Sequence, residues 1–459
     1  MNKDINIHFF NEKKDGLENI PSLGPDGEYL TRTKKLIKNC FGEPAYNVSS
    51  VPMPIVSHWI ETIKKSKSIS LQKIRESMID AATLFQNERQ LEYNLSLITG
   101  SPINVIKECL LMIFDSLRNS SYILDLSVPK ACSDDHGERF GAKWCRKGDI
   151  FFVQAAGNSP GVHALWLEAL SLGYRVIVRP SSRDPLTPYY LILALYKAGI
   201  PRDYIIMVPC DYDVTDFIIE KSDYTLIYGN QITVAKFDKQ RNVLVQGPGR
   251  SKLILTSDAE NDFSLSLAYE GVIFHGGTAC TSTSVIFVQR DIRQFSTKLA
   301  DMLNEIDLFA PWNTLAKLPA FNKEDAELII NYFIEKVSPE KTILKPKIIN
   351  KYYEGKKLTF ITPGVIEVTS PEDRLVSVEW PFACVCIAPY EERIIEHLSN
   401  SLVVSIASND HNLFDTLINN PSISNVYKNK STSWHDWRIP HDSFLSEFLM
   451  RTKGIIYEE

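Results

Sequence analysis

Cys280 lies in the run FHGGTACTSTSVIFVQRD, between a Gly-Gly turn and an apolar, β-branched stretch. The glycines allow close backbone approach, and the small residues Thr278, Ala279, Thr281 and Ser282 leave room beside the thiol for a carbonyl group. A thiolate there would attack the carbonyl carbon and hold the acyl group as a thioester, given donors that favour the thiolate. Taken alone, the segment reads equally well as a small buried thiol in a core turn. Two histidines are secondary candidates to assist: His275, which reads as packed within the turn, and His441, which reads as a loop histidine near a contact between copies. Cys384 and Cys386 alternate on an apolar run and read as core filler.

Several elements must position such a thiol. From about Ile55 to Leu117 the apolar spacing is helical, with Ser70 and Ser101-Pro102 as expected helix starts. Near Asp149 the rhythm changes. DIFFVQAAG reads as a buried strand, VHALWLEALSLG as a helix, YRVIVRP as a strand and PLTPYYLILALYKAGI as a helix; YTLIYG and NVLVQG continue the alternation. KLILT opens a second region that runs through SVIFVQRD, a helix around Lys323–Val337 and the strand ACVCIAPY. Short apolar strands alternating with helices predict parallel α/β sheets, here in two lobes. The first 50 residues, rich in Gly, Pro, Asn and charge, are expected to wrap loosely around another part.

At 459 residues the chain exceeds one simple core, and its 44% hydrophobic and 23% charged composition is ordinary for a globular protein. A formal charge of −6 gives no reason to expect nucleic acid or an acidic membrane surface as partner. No stretch approaches the ~20 apolar residues that span a bilayer, and MNKDINIHFFNEKKDG lacks an apolar signal core. The eight cysteines form no CxxC pair, and no HExxH or clustered His/Cys set is present. The expectation is a cytoplasmic protein with reduced thiols and no metal.

Three more segments stand in a telling order ahead of Cys280: AAGNSPG at 155–161, VIVRPSSRDPL at 176–186 and LIYGN at 226–230. Downstream come EWPFACVCIAPY and IPHDSF. This succession resembles the aldehyde dehydrogenase superfamily over roughly residues 50–459, best between 149 and 290. The resemblance implies an aldehyde dehydrogenase-like α/β fold with two Rossmann-like lobes and a small oligomerisation element. Residues 1–118 and 148–254 would form the cofactor lobe with its N-terminal helical region, and 255–431 the catalytic lobe. Residues 119–147 and 432–459 would bridge and oligomerise.

Carried over residue by residue, the resemblance makes Cys280 the nucleophile and Asn158 the oxyanion asparagine. Arg179, Pro180 and Ser181 match the Lys-Pro-Ser that contacts the adenosine ribose, with Arg in place of Lys. Gly229 and Asn230 match the Gly-Ser turn beside the cofactor phosphates, and Glu379 the glutamate that holds the nicotinamide ribose. Ser182 stands where NAD-preferring members carry a glutamate. Its lack of charge, with Arg179 or Arg183 free to pair a 2′-phosphate, implies NADPH, with NADH possible. The fingerprint GxGxxG is absent, and the superfamily resembled here binds its cofactor without it.

One departure bears on the reaction. Where hydrolytic members carry the glutamate of Glu-Leu-Gly-Gly-Lys, this chain has Gln246, in Gln246-Gly247-Pro248-Gly249-Arg250. An amide is no general base at neutral pH, so a thioester on Cys280 would resist water and exchange with thiols instead. With the Pro-His-Asp triplet at 440–442, this pattern resembles acylating aldehyde dehydrogenases and the acyl-thioester reductases typified by the bioluminescence fatty acid reductase. It implies reduction of an acyl group from coenzyme A, a carrier protein or an acyl-transferring synthetase. The alternatives are a hydrolytic aldehyde dehydrogenase in which His441 replaces the base, and a non-catalytic member serving as scaffold. The superfamily pairs subunits through an extended hairpin and the last strand. Here SSYILDLSV (120–128) and KGIIYEE (453–459) are the candidates, and a homodimer or homotetramer is expected.

Overall fold

The structure is a computed structural model that describes residues 17–87, 89–133, 140–391 and 393–456. Two seven-stranded sheets carry the fold. The first runs Val243–Gln246, Tyr224–Tyr228, Ile150–Gln154, Arg175–Arg179, Ile205–Met207, Ser22–Gly24, Gly27–Tyr29. Its first five strands are parallel. They are short apolar runs because both sheet faces are covered, as parallel sheets require. Phe151, Val153, Val176 and Val178 face one core with the helices Leu71–Gln86, Ile103–Arg118 and Leu186–Lys197. Phe152, Ile177 and Ile206 face another with Val56, Trp59 and Ile60 of the helix Met53–Lys64.

The second sheet runs Thr342–Leu344, Gly364–Glu367, Cys384–Pro389, Val285–Val288, Lys252–Leu255, Ser401–Ala407, Ile423–Lys428. It is parallel apart from its first strand. Cys384 and Cys386 are buried in one of its cores with Phe287 and Ile406, the filler role expected of them. No helix among the described residues is long and apolar enough to cross a membrane.

The helices between Met53 and Arg118 form as the spacing predicts, and Ser70 accepts the Lys73 N–H as N-cap. Ser101 does not cap; Pro102 occupies that place without a side-chain bond. Three further expectations need correction. The segment after residue 16 is no loose wrap: Leu23 and Ile20 are fully buried, and Leu23 pairs with Met207 to extend the first sheet. VHALWLEALSLG is not one helix. A 3-10 turn at Pro160–His163 precedes a short helix at Leu167–Ser171, with Trp166 Nε1 donating to His163 Nδ1 at 3.0 Å between them. SSYILDLSV is not extended either. Ser120–Ser127 is a helix that buries Ile123 and Leu124. The strand that pairs with the C-terminal Met450–Ile456 is Phe140–Arg146. Of KGIIYEE, residues 457–459 lie outside the described residues.

Candidate active site

In the first sheet the strand Ile150–Gln154 lies between Arg175–Arg179 on one side and Tyr224–Tyr228 on the other. Successive connections therefore leave in opposite directions, and a crevice opens at the carboxyl ends, where open α/β sheets hold their ligands. The register lines those ends up: Gln154 pairs with Arg179 and with Ile227, and Tyr228 pairs with Gln246. The loops carrying Asn158, Ser181, Gly229 and Gly247 consequently share one edge. Gly157 is required where they meet, since a Cβ there would fall 2.2 Å from Ser181 Oγ.

Cys280 arrives at this edge from the second lobe. The helix Asn261–Ile273 ends in the turn Phe274–Gly277, where His275, Gly276 and Gly277 have φ of 47°, 67° and 75°. A Cβ at Gly276 would meet Pro319 Cδ at 2.4 Å, and one at Gly277 would meet the Ala383 backbone at 2.3 Å. The two glycines thus reverse the chain in a space that admits no side chain. The turn is tied to the first lobe, because Asn158 Nδ2 donates to Thr278 O at 3.0 Å. A Cβ on Gly249 would fall 1.9 Å from Cys280 O, and Ser251 Oγ donates to that same oxygen at 2.9 Å. Cys280 is left half-buried.

Cys280 Sγ lies 3.2 Å from His441 Nε2. His441, read from the sequence as a loop histidine at a contact between copies, instead faces the thiol. The Pro-His-Asp triplet was the available signal, but nothing local said where the loop would land. Burial works to lower the His441 pKa, yet the Cys280 and Asp442 charges win and hold it well above the ordinary histidine value. Burial likewise opposes the charge of Asp442, and contact with His441 and Gln246 outweighs it, leaving that pKa lowered. Gln246 Nε2 donates to Asp442 Oδ2 at 2.8 Å. Asp442 entered the sequence reading only as part of the Pro-His-Asp triplet, with no role of its own.

His275 turns away from this cluster toward Glu108 and Phe274. It is buried, stacked on Phe274 with centroids 4.0 Å apart and 3.5 Å from Glu108 Oε2, the packed role expected of it. Glu379 Oε2 accepts the Arg250 N–H at 2.7 Å, and burial raises its pKa despite that bond. Asn230 caps the helix Gln231–Phe237 by accepting from Ile232 and Thr233 N–H, both at 3.1 Å. Arg179 Nε donates to Cys210 O at 3.2 Å, and its guanidinium lies 4.9 Å from the Tyr212 ring centroid. Pro180 is buried and Ser182 exposed. Arg183 departs from its expected freedom: it pairs with Asp325 of the second lobe at 2.6 Å.

Comparison with known proteins adds the decisive observation. A profile of the aldehyde dehydrogenase family matches residues 155–441, more than half of the chain and all of the cleft from Asn158 to His441. The chain belongs to the aldehyde dehydrogenase family.

Among curated relatives of this family member, a putative succinate-semialdehyde dehydrogenase [NADP(+)] of Mycolicibacterium smegmatis is 25% identical over 209 residues, 43% of this chain and 40% of the relative. The cytosolic aldehyde dehydrogenase 1 of Rattus norvegicus is 27% identical over 240 residues, 48% of this chain and 46% of the relative. The chain thus matches about half the length of these relatives or less. Among solved structures, the NAD+ complex of an aldehyde dehydrogenase from Bacillus cereus superposes with a TM-score of 0.80 at 18% identity, covering 95% of this chain and 96% of that one. The shared fold is that of an aldehyde dehydrogenase.

Proposed function

We propose that this family member reduces an acyl thioester to an aldehyde with a reduced nicotinamide cofactor, through a covalent thioester on Cys280. The observation that carries the reading is the Gln246 side chain, an amide bound to Asp442 where hydrolytic members keep a water-activating carboxylate. In the acylation step His441 takes the Cys280 proton. The thiolate attacks the acyl carbonyl, the bond to the donor sulfur breaks, and the departing sulfur takes its proton back from His441. A reduced nicotinamide, when bound, supplies the reducing equivalents that bring the acyl group to the aldehyde level. The Asn158 amide, one of whose hydrogens already serves Thr278 O, and the Cys280 N–H stabilise the carbonyl oxygen as it gains charge. Aligned donors of this kind contribute ~3–4 kcal/mol each. The aldehyde leaves as the C–S bond breaks and Cys280 departs as thiolate.

The convergent strand ends, Gly157 against Ser181 and the half-buried carboxylate of Glu379 fit a dinucleotide. Arg179, Pro180, Ser181 and Ser182 would hold its adenosine end, Gly229 and Asn230 its phosphates, and Glu379 its nicotinamide ribose. The preference for NADPH now rests on Arg179 and the uncharged Ser182, since Arg183 is engaged with Asp325. The NADP(+) in the name of the Mycolicibacterium relative is in keeping with it.

A second reading is oxidation of an aldehyde to a carboxylate. The names of the relatives favour it, and in it His441, 3.2 Å from Cys280 Sγ, would be the base that activates water. Mass spectrometry of the intact protein mixed with acyl-coenzyme A thioesters separates the two. Acyl reduction predicts an adduct on Cys280 that is absent in Cys280→Ser, and aldehyde released on adding reduced nicotinamide. Carboxylate made from aldehyde and oxidised nicotinamide without added thiol, with no adduct from any acyl thioester, would replace the first reading by the second.

A further inference from the structure

The Asp442 carboxylate divides its two oxygens. Oδ2 accepts from Gln246 Nε2 at 2.8 Å, while Oδ1 lies 3.6 Å from His441 Nδ1. Both of these facing atoms, Oδ1 and Nδ1, are buried and have no hydrogen-bond partner among the described residues. On its far side the imidazole meets Cys280 Sγ at 3.2 Å. The backbone of the same loop is pinned, because Asn425 Nδ2 donates to the His441 carbonyl. Gln246 is itself buried at the end of the strand Val243–Gln246, with its backbone carbonyl bound by Gly229 N–H at 3.0 Å.

From this line of contacts we infer that Asp442, anchored by Gln246, positions His441 as the proton partner of Cys280. Gln246 is then a positioning residue and not a vacated place. A carboxylate next to Nδ1 favours the tautomer that keeps its proton there and leaves Nε2 to take one from the thiol. An amide donor can hold such a carboxylate. A second carboxylate at position 246 would face it at 2.8 Å, a separation at which two like charges do not both persist. Glutamine at 246 and aspartate at 442 are therefore coupled choices. Other charges around the cluster do not compete with this arrangement. Burial and His441 lower the His435 pKa; burial raises Tyr228 far up and Glu168 to about 8. Asp442 is left as the anion facing His441.

The inference rests on Cys280 being the nucleophile, and its test needs neither cofactor nor acyl donor. Iodoacetamide alkylates the thiolate: the sulfur–carbon bond forms as iodide leaves, so the rate follows the thiolate fraction. The rate is measured against pH on the full chain, with peptide mapping to read Cys280 apart from the other thiols. Gln246→Met keeps the shape and removes the donor. Its acid limb should move up by about one pH unit, a roughly tenfold loss of rate on that limb, with the alkaline plateau unchanged. Asp442→Asn should move the limb at least as far, and Gln246→Met added to it should move it no further, because the anchor then has no carboxylate to hold. A Gln246→Met profile that superimposes on wild type, or a shift that adds in full to that of Asp442→Asn, overturns the inference. If Gln246→Met does not fold, as read by its melting curve, an Asp442→Asn profile identical to wild type overturns it as well. Acyl reduction could fail while these shifts appear, and the reverse, so the two readings are judged separately.

Discussion

Ser182 is exposed on the loop that follows the strand Arg175–Arg179, one residue beyond the serine packed against Gly157. A glutamate there would accept hydrogen bonds from ribose hydroxyls and repel a 2′-phosphate. Serine removes the repulsion, and Arg179 supplies positive charge close by. Ser182→Glu is therefore expected to lower kcat/KM for NADPH by about tenfold or more and to raise it for NADH, since one charge-assisted contact is worth roughly 1.5–3 kcal/mol. Steady-state kinetics with both cofactors, in wild type and variant, check this. A wild-type preference for NADH that the new carboxylate leaves unmoved would remove both the preference and the placement of Ser182. Arg183 belongs in the same experiment for a structural reason. Its partner Asp325 is in another lobe, so no local pattern could show that its charge was already engaged.

At the scale of the element, the strand Lys252–Leu255 begins with a lysine that is only 2% exposed. Lys252 Nζ donates to Arg250 O at 2.9 Å and to Ser401 Oγ at 2.6 Å, joining the start of this strand to its neighbour Ser401–Ala407. Burial, with the nearby Arg250 charge, lowers its pKa to about 7. The unfolded chain binds this proton up to the ordinary lysine value and the folded chain only up to about 7. Between those limits the unfolded state therefore holds more protons, and wild-type stability should rise with pH. The contribution is complete above the unfolded lysine value and is lost as pH falls to the folded one. Urea unfolding of wild type and Lys252→Met from pH 7 to 10 tests the sign. The difference should grow in favour of wild type by on the order of 1 kcal/mol per pH unit. A difference that stays flat or reverses would mean that the lysine remains charged where it is buried.

For the whole molecule, the two-stranded pairing of Phe140–Arg146 with Met450–Ile456 stands apart from both large sheets and ends in Ile456, 79% exposed. A short pair of this kind presents unpaired edges on which another chain can add. The expected assembly is a dimer or tetramer built on these strands. Light scattering at micromolar concentration should give a mass at least twice 52.2 kDa. A monomer, or an oligomer unchanged after removal of the last strand, would count against that role.

Local pattern was enough for much of this protein. Apolar runs of strand length in alternation with helices mark both parallel sheets, because strands buried on two faces are mostly apolar and carry a polar residue only where it finds a partner. The turn at Cys280 is marked by its two glycines, since a Cβ at either would collide with Pro319 or the Ala383 backbone. Other features were closed to sequence. SSYILDLSV has apolar residues that suit a strand or a helix, and packing of Ile123 and Leu124 against the core chose the helix. Gln246 was legible as a missing base but not as a donor to Asp442, and His441 as a lesser candidate for a base but not as the imidazole that meets Cys280 Sγ. Each of those roles depends on a contact between residues more than 150 positions apart, created only when the late loop folds back over the crevice between the lobes.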